Sequence, residues 1–129
     1  MKRILTIVTA ALLVMACQES LEERCAREVQ TYSKKHCPVR VTEDITMDSL
    51  SFDKSTHTLA YIYTVKGKVD DSTALNAVHP RELLLHQVKN SADLKLYKDA
   101  GYSFRYTYYS SKNKGTKLFE ATFLEKDYR

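Results

Sequence analysis

The sequence predicts an α+β domain in which two helices cover one four-stranded antiparallel sheet, in the order αββαββ. Three observations lead there. Leu21, Cys25, Val29 and Tyr32 recur at spacings of four, four and three, the stripe of an amphipathic helix. Leu59, Tyr61, Tyr63 and Val65, and later Tyr102, Phe104, Tyr106 and Tyr108, recur at period two, as half-buried strands do. Each of these runs sits beside a second apolar run across a short polar turn, which makes two hairpins. Neither hairpin is stable alone, so their pairing into one sheet with a covered face is the economical packing.

The chain opens with a segment that does not belong to the domain. Lys2 and Arg3 precede an apolar stretch from Ile4 to Ala16 that ends in Val14-Met15-Ala16-Cys17. The stretch falls well short of the roughly 20 residues a spanning helix needs, and has the charged start and small-residue end of an export signal. The closing four residues match a bacterial lipobox. A thiol is required there because it accepts a diacylglyceryl group. Cleavage before it frees an amine for a further acyl chain such as palmitate, and two or more chains anchor stably where one is marginal. Residues 1–16 are therefore predicted to be a signal peptide, 17–20 a lipidated tether and 21–129 a single domain. Gln18 stands where Asp would resemble an inner-membrane retention signal, so the expected place is the outer membrane, facing the periplasm. Glu19, Glu22 and Glu23 leave surface exposure open.

Within the domain, Ser20 to Glu23 matches a capping box and starts a helix over 21–35 that buries the Leu21–Tyr32 stripe. Pro38 ends it. Val39 to Val41 is a brief extended piece, Ile45 to Phe52 a strand with Leu50 and Phe52 on one face, and Thr58 to Val69 its hairpin partner after the turn at 53–56. Asp71 is a candidate N-cap for a second helix, which begins either at Ser72, kinking near His79, or at Pro80. Leu84, Leu85 and Val88 form its apolar side. Asp93 caps a last turn through Leu94 and Tyr97, and Gly101 stops it. The strand of Tyr102 to Tyr108, the polar turn 110–116 and the strand 117–125 complete the fold, with a frayed tail at 126–129.

Composition bounds the function. Removal of the signal leaves 113 of 129 residues, enough for one modest core, and lowers the net charge from +4 to +2. With no basic cluster longer than Lys34-Lys35, nucleic acid is not an expected partner. Cys25 and Cys37 remain after lipidation. In an oxidising compartment they form a candidate disulfide, which requires the helix to end near Ser33 and the chain to turn back; the alternative is two separate thiols. On one continuous helix they would stand about 18 Å apart, too far to bridge.

No catalytic or metal-binding pattern emerges. His36 and Cys37 are chain neighbours without a third group to orient the imidazole. His79 and His86 are seven apart rather than three or four, and His57 sits in a turn. No catalytic residue, metal or cofactor is expected. The aromatic excess is the one surface signal. Tyr109 falls on the strand face opposite the Tyr ladder, beside Arg105 and Thr107, and these with Ile62 form a candidate binding surface on the open sheet face.

The αββαββ order, the lipobox, and the strings Leu59-Ala60-Tyr61-Ile62-Tyr63 and Gly101-Tyr102-Ser103-Phe104-Arg105-Tyr106 resemble small bacterial lipoproteins with β-lactamase-inhibitor-protein-like domains, and more loosely cystatin-like folds. The resemblance implies the fold and no activity. The functional expectation is a non-enzymatic, membrane-anchored module that binds a protein partner in the cell envelope. The alternative is a periplasmic immunity or enzyme-inhibitor protein. A third reading, an enzyme or small-ligand carrier, would need a deep pocket lined by Tyr63, Tyr106, His86 and Arg105.

Overall fold

The structure is a computed structural model that describes residues 19–129. The predicted signal peptide and the lipobox cysteine, Cys17, lie outside the described residues. Helix α1 (Leu21–His36) leads into strands β1 (Val39–Arg40), β2 (Ile45–Asp53) and β3 (Thr58–Val65). A 3-10 turn (Gly67–Val69) and three helices follow: α2 (Ser72–Asn76), α3 (Pro80–Asn90) and α4 (Lys95–Asp99). Strands β4 (Ser103–Ser110) and β5 (Lys117–Phe123) and a terminal helix α5 (Glu125–Tyr128) close the chain.

The strands form one five-stranded sheet in the order β1-β2-β3-β4-β5. Five helices among the described residues replace the two expected, and the sheet departs from the four-stranded antiparallel expectation in two ways. The extended piece at Val39 is a fifth strand, paired to β2 through Val39–Met47 and Arg40–Thr46. The two hairpins meet in parallel, from Thr58 beside Ser103 to Val65 beside Ser110. A parallel pair needs a long crossover, and the helical segment between β3 and β4 supplies it. Side-chain alternation is the same in both orientations, which is why periodicity could not choose between them.

Helix α1 starts as its sequence dictates. Ser20 Oγ accepts the Glu23 amide at 3.1 Å, and Glu22 and Glu23 sit at the positive end of the helix while Lys34, Lys35 and His36 sit at the negative end. The helix packs along β2, where the Leu50 amide donates to Ser33 Oγ at 3.4 Å. Cys25 and Val29 are buried, but Tyr32, predicted to be buried with them, is 39% exposed. Because α1 is continuous to His36, Cys25 and Cys37 lie at separate places along it as two free thiols, not as the candidate disulfide.

Both readings of the second helix are realised. Asp71 caps α2, its carboxylate accepting the Thr73 amide at 3.1 Å, and Pro80 opens α3. His79 between them adopts φ 53°, the left-handed conformation that lets the axis turn. Leu84 and Val88 of α3 are buried against the sheet. Asp93 does not cap α4, which starts after Leu94 without a side-chain bond. Gly101, at φ 79°, ends it as expected, and a side chain there would collide with the Glu125 carboxylate.

Strand β3 stops at Val65 rather than Val69, because the chain tightens into the 3-10 turn at Gly67. The buried Asp70 carboxylate then accepts the amides of Ser111 (3.1 Å) and Lys112 (3.0 Å), tying the start of the crossover to the β4–β5 turn. The tail expected to fray is instead α5. The Asp127 carboxylate accepts the Leu124 amide at 2.8 Å, and the buried Tyr128 donates its hydroxyl to Tyr102 O at 2.7 Å.

Two outcomes are expected. In a Cys17→Ser chain, thiol-counting reagents should find two thiols under denaturing conditions. Only Cys37 should react in the native protein, because burial pushes the Cys25 thiol up to about 11. In urea unfolding, Tyr128→Phe should cost about 1 kcal/mol and Tyr128→Ala about 3 kcal/mol, the difference being the ring's packing against Phe104.

Candidate functional site, an aromatic groove between the helices

The helices all lie on one face of the sheet, and they do not cover it completely. Between α1 on one side and the segment from Gln87 to Tyr97 on the other runs a groove of about 480 Å³. Its floor comes from three adjacent strands. Met47 and Leu50 project from β2, Leu59, Tyr61 and Tyr63 from β3, and Tyr106 from β4. Glu28, Val29 and Tyr32 form the α1 wall. Gln87, Ser91, Asp93, Leu94 and Tyr97 form the other, with Val41 at one end.

The parallel register creates the aromatic floor. Tyr61 lies beside Tyr106 and Tyr63 beside Tyr108, so the rings stack across strands at 4.5 Å with interplanar angles of 5° and 8°. The Tyr63 ring also faces Tyr106 at 6.3 Å, which makes the four rings one continuous ladder. Desolvation raises all four phenols, Tyr108 to about 12 and the other three further. A second aromatic chain, Tyr97–Tyr102–His57, leads from the groove wall toward the N-terminal turn of α1, where His57 Nε2 meets Glu22 Oε1 at 2.7 Å.

One polar pair fixes the width of the groove. Tyr97 donates its hydroxyl to Glu28 Oε2 at 2.5 Å, joining the two walls, while Arg24 Nε donates to Glu28 Oε1 at 2.8 Å. The Tyr97 bond, followed by that of Arg24, holds the Glu28 carboxyl below its usual range. Burial, followed by the same bond, raises the Tyr97 phenol. The proton therefore stays on Tyr97 and the charge on Glu28. Among the described residues, Glu28 and Asp93 are the only charged ones lining the groove.

The candidate surface Ile62, Arg105, Thr107 and Tyr109 falls together on the opposite, helix-free face, since the register sets Ile62 beside Thr107 and Thr64 beside Tyr109. Thr107 is only 1% exposed and donates its hydroxyl to Glu120 at 2.7 Å, so the sheet itself closes it off. Tyr109 borders a shallow depression with Thr64, Lys114 and Gly115. Of the four residues expected to line a deep pocket, Tyr63 and Tyr106 border the groove; His86 and Arg105 do not. His86 faces Asn90 on α3. Sequence reasoning missed Glu28, Tyr32, Asp93 and Tyr97 as groove residues. The available signal was Tyr32, an aromatic with a polar tip at the end of an otherwise small, apolar stripe. Among the described residues no helix is long and apolar enough to cross a membrane.

The chain belongs to the family of the domain of unknown function DUF8479, whose model matches residues 20–119. Two solved structures share the fold. A candidate secreted protein of Pseudomonas aeruginosa, PA3611, is 16% identical, with 87% of this chain and 100% of that chain covered at a TM-score of 0.67. The pilotin EpsS of the Vibrio vulnificus type 2 secretion system is 15% identical, with 84% of this chain and 92% of that chain covered at a TM-score of 0.61. No curated protein sequence matches the chain.

The aromatic floor sets the alkaline behaviour. Phenols raised in the folded state contribute stability below the ordinary tyrosine value, and that stability is lost as pH rises through the folded values. Tyrosinate absorbance should therefore lag behind free tyrosine above about pH 10 and then rise together with loss of circular dichroism. On the acid side, the lowered Glu28 carboxyl contributes stability above the ordinary carboxylate range that disappears as pH falls through its folded value. A Glu28→Gln variant should show a shallower loss of stability on acidification in the same titration.

Proposed function

We propose that this member of the DUF8479 family is a lipid-anchored, non-enzymatic protein-binding module of the cell envelope, held at the outer membrane through Cys17 and engaging its partner through the groove between α1 and α3–α4. The observation that carries the reading is the groove itself. A folded domain of this size covers its aromatic sheet face with helices. Here the cover is left open over Tyr61, and Tyr32 and Val41 stand 39% and 55% exposed along its border. Exposed apolar side chains gathered at a concave site are a feature of binding surfaces rather than of idle ones.

The fold neighbours support the same class of role. One is a candidate secreted protein and the other a pilotin of a type 2 secretion system, which is consistent with an envelope protein that binds a partner. The tether is short. If Cys17 is lipidated, three residues, Gln18 to Ser20, separate the anchor from α1, and the domain works close to the bilayer. A short anchored domain with a preformed groove suits capture of a partner that is itself at the membrane.

The test is purification of the intact protein from native membranes beside three variants: Cys17→Ser, the groove pair Tyr32→Ala with Val41→Asp, and the open-face pair Ile62→Ser with Tyr109→Ala. Mass spectrometry should find a single stoichiometric partner with the intact protein and the open-face pair, strongly depleted with the groove pair. Depletion with the open-face pair instead would move the site to the other side of the sheet. Equally tight capture by the Cys17→Ser form would favour the immunity or inhibitor alternative.

A further inference from the structure

We infer that the groove takes an amphipathic α-helix whose polar flank carries a basic residue that meets Asp93. The inference rests on the groove reading above and specifies the occupant.

The argument begins with the backbone. The floor is formed by the interior of the sheet, where β3 is laddered to β2 on one side and to β4 on the other along its length. Among the described residues the strand edge near the groove is that of β2 beyond Met47, and it faces α1, where the Leu50 amide donates to Ser33 Oγ, so the floor offers no ready place for an added strand. A peptide laid there in extended form would desolvate its own amides and carbonyls against tyrosine rings, Leu50, Leu59 and Met47, without partners for them. A helix satisfies those groups internally and presents only side chains, as helices that dock into apolar grooves do. Its anchors would fall at i, i+3 or i+4, and i+7. The walls are themselves helical segments, α1 on one side and α3–α4 on the other, so a third helix laid over the mouth of the groove, outside the Tyr97–Glu28 bond that joins them, meets both by ordinary ridge-and-groove contacts.

Charge specifies the flank. The whole chain carries +4, yet every charged residue lining the groove is acidic. Asp93 is exposed on the border and enters no ion pair among the described residues, whereas Glu28 is already engaged by Arg24 and Tyr97. An incoming Lys or Arg gains from Asp93, and an acidic flank is repelled.

The experiment selects phage-displayed random peptides of about 16 residues, roughly four helical turns, on the full Cys17→Ser chain, and then measures synthetic copies. The inference expects recovered peptides with apolar residues at helical spacing and Lys or Arg on one flank, which gain helical circular dichroism when bound. Their affinity should fall about tenfold for the Tyr32→Ala, Val41→Asp pair, and about fivefold for Asp93→Lys, with the latter effect shrinking as salt is raised. The exposure of Tyr32, Val41 and Asp93 keeps these variants folded, which circular dichroism verifies. Peptides that need Tyr32 and Val41 but are extended, proline-rich or acidic would overturn the helical, basic occupant while leaving the groove as the binding site. Peptides insensitive to those changes, or no peptides at all, would overturn the groove reading and this inference with it.

Discussion

The parallel pairing of β3 with β4 is the constraint on which the rest of the structure depends. It forces the chain to travel from one end of the sheet to the other between Val65 and Ser103, and α2, α3 and α4 are that journey. It also sets Tyr61 beside Tyr106 and Tyr63 beside Tyr108 in one register, building a stacked ladder at the centre of the sheet. An antiparallel join of the same two hairpins would need no such crossover and would leave no second wall opposite α1. The groove is thus a direct consequence of strand direction.

Much of this was legible in the sequence, and the boundary of legibility has a physical cause. The Tyr ladder, the α1 stripe, the Ser20 and Asp71 caps and the stop at Gly101 are local signals, each readable from a few neighbouring residues. Strand direction is not local, because Tyr61 and Tyr106 share a face whichever way β4 runs. Tyr32 follows the stripe of α1, yet its ring stands 39% exposed beside the groove, against His36 one turn on. The tail misled for another reason. Lys126 to Arg129 is polar in composition, but its one aromatic, Tyr128, finds the free carbonyl of Tyr102 and orders the turn.

The candidate site divides along the same line. Ile62, Arg105, Thr107 and Tyr109 were placed together by alternation, and the structure does bring them to one face. Alternation carries no information about depth, so it could not reveal that Thr107 is sealed by its neighbours while the opposite face is left open over Tyr61. The groove needs residues from six elements, from Glu28 to Tyr106, and its width is held by the Tyr97–Glu28 bond between side chains 69 residues apart. That bond turns two separately folded walls into one cradle. It also places a fixed negative charge beside an aromatic floor.

Site-specific photo-crosslinking in the native host tests the central claim most directly. Benzoylphenylalanine in place of Tyr32 samples the groove, and in place of Tyr109 it samples the helix-free face; both parent rings reach solvent, so neither exchange disturbs the core. The account predicts a single light-dependent protein adduct from position 32 and none from position 109. An adduct from position 109 alone, or none from position 32 in membranes where the protein is present and folded, would contradict it.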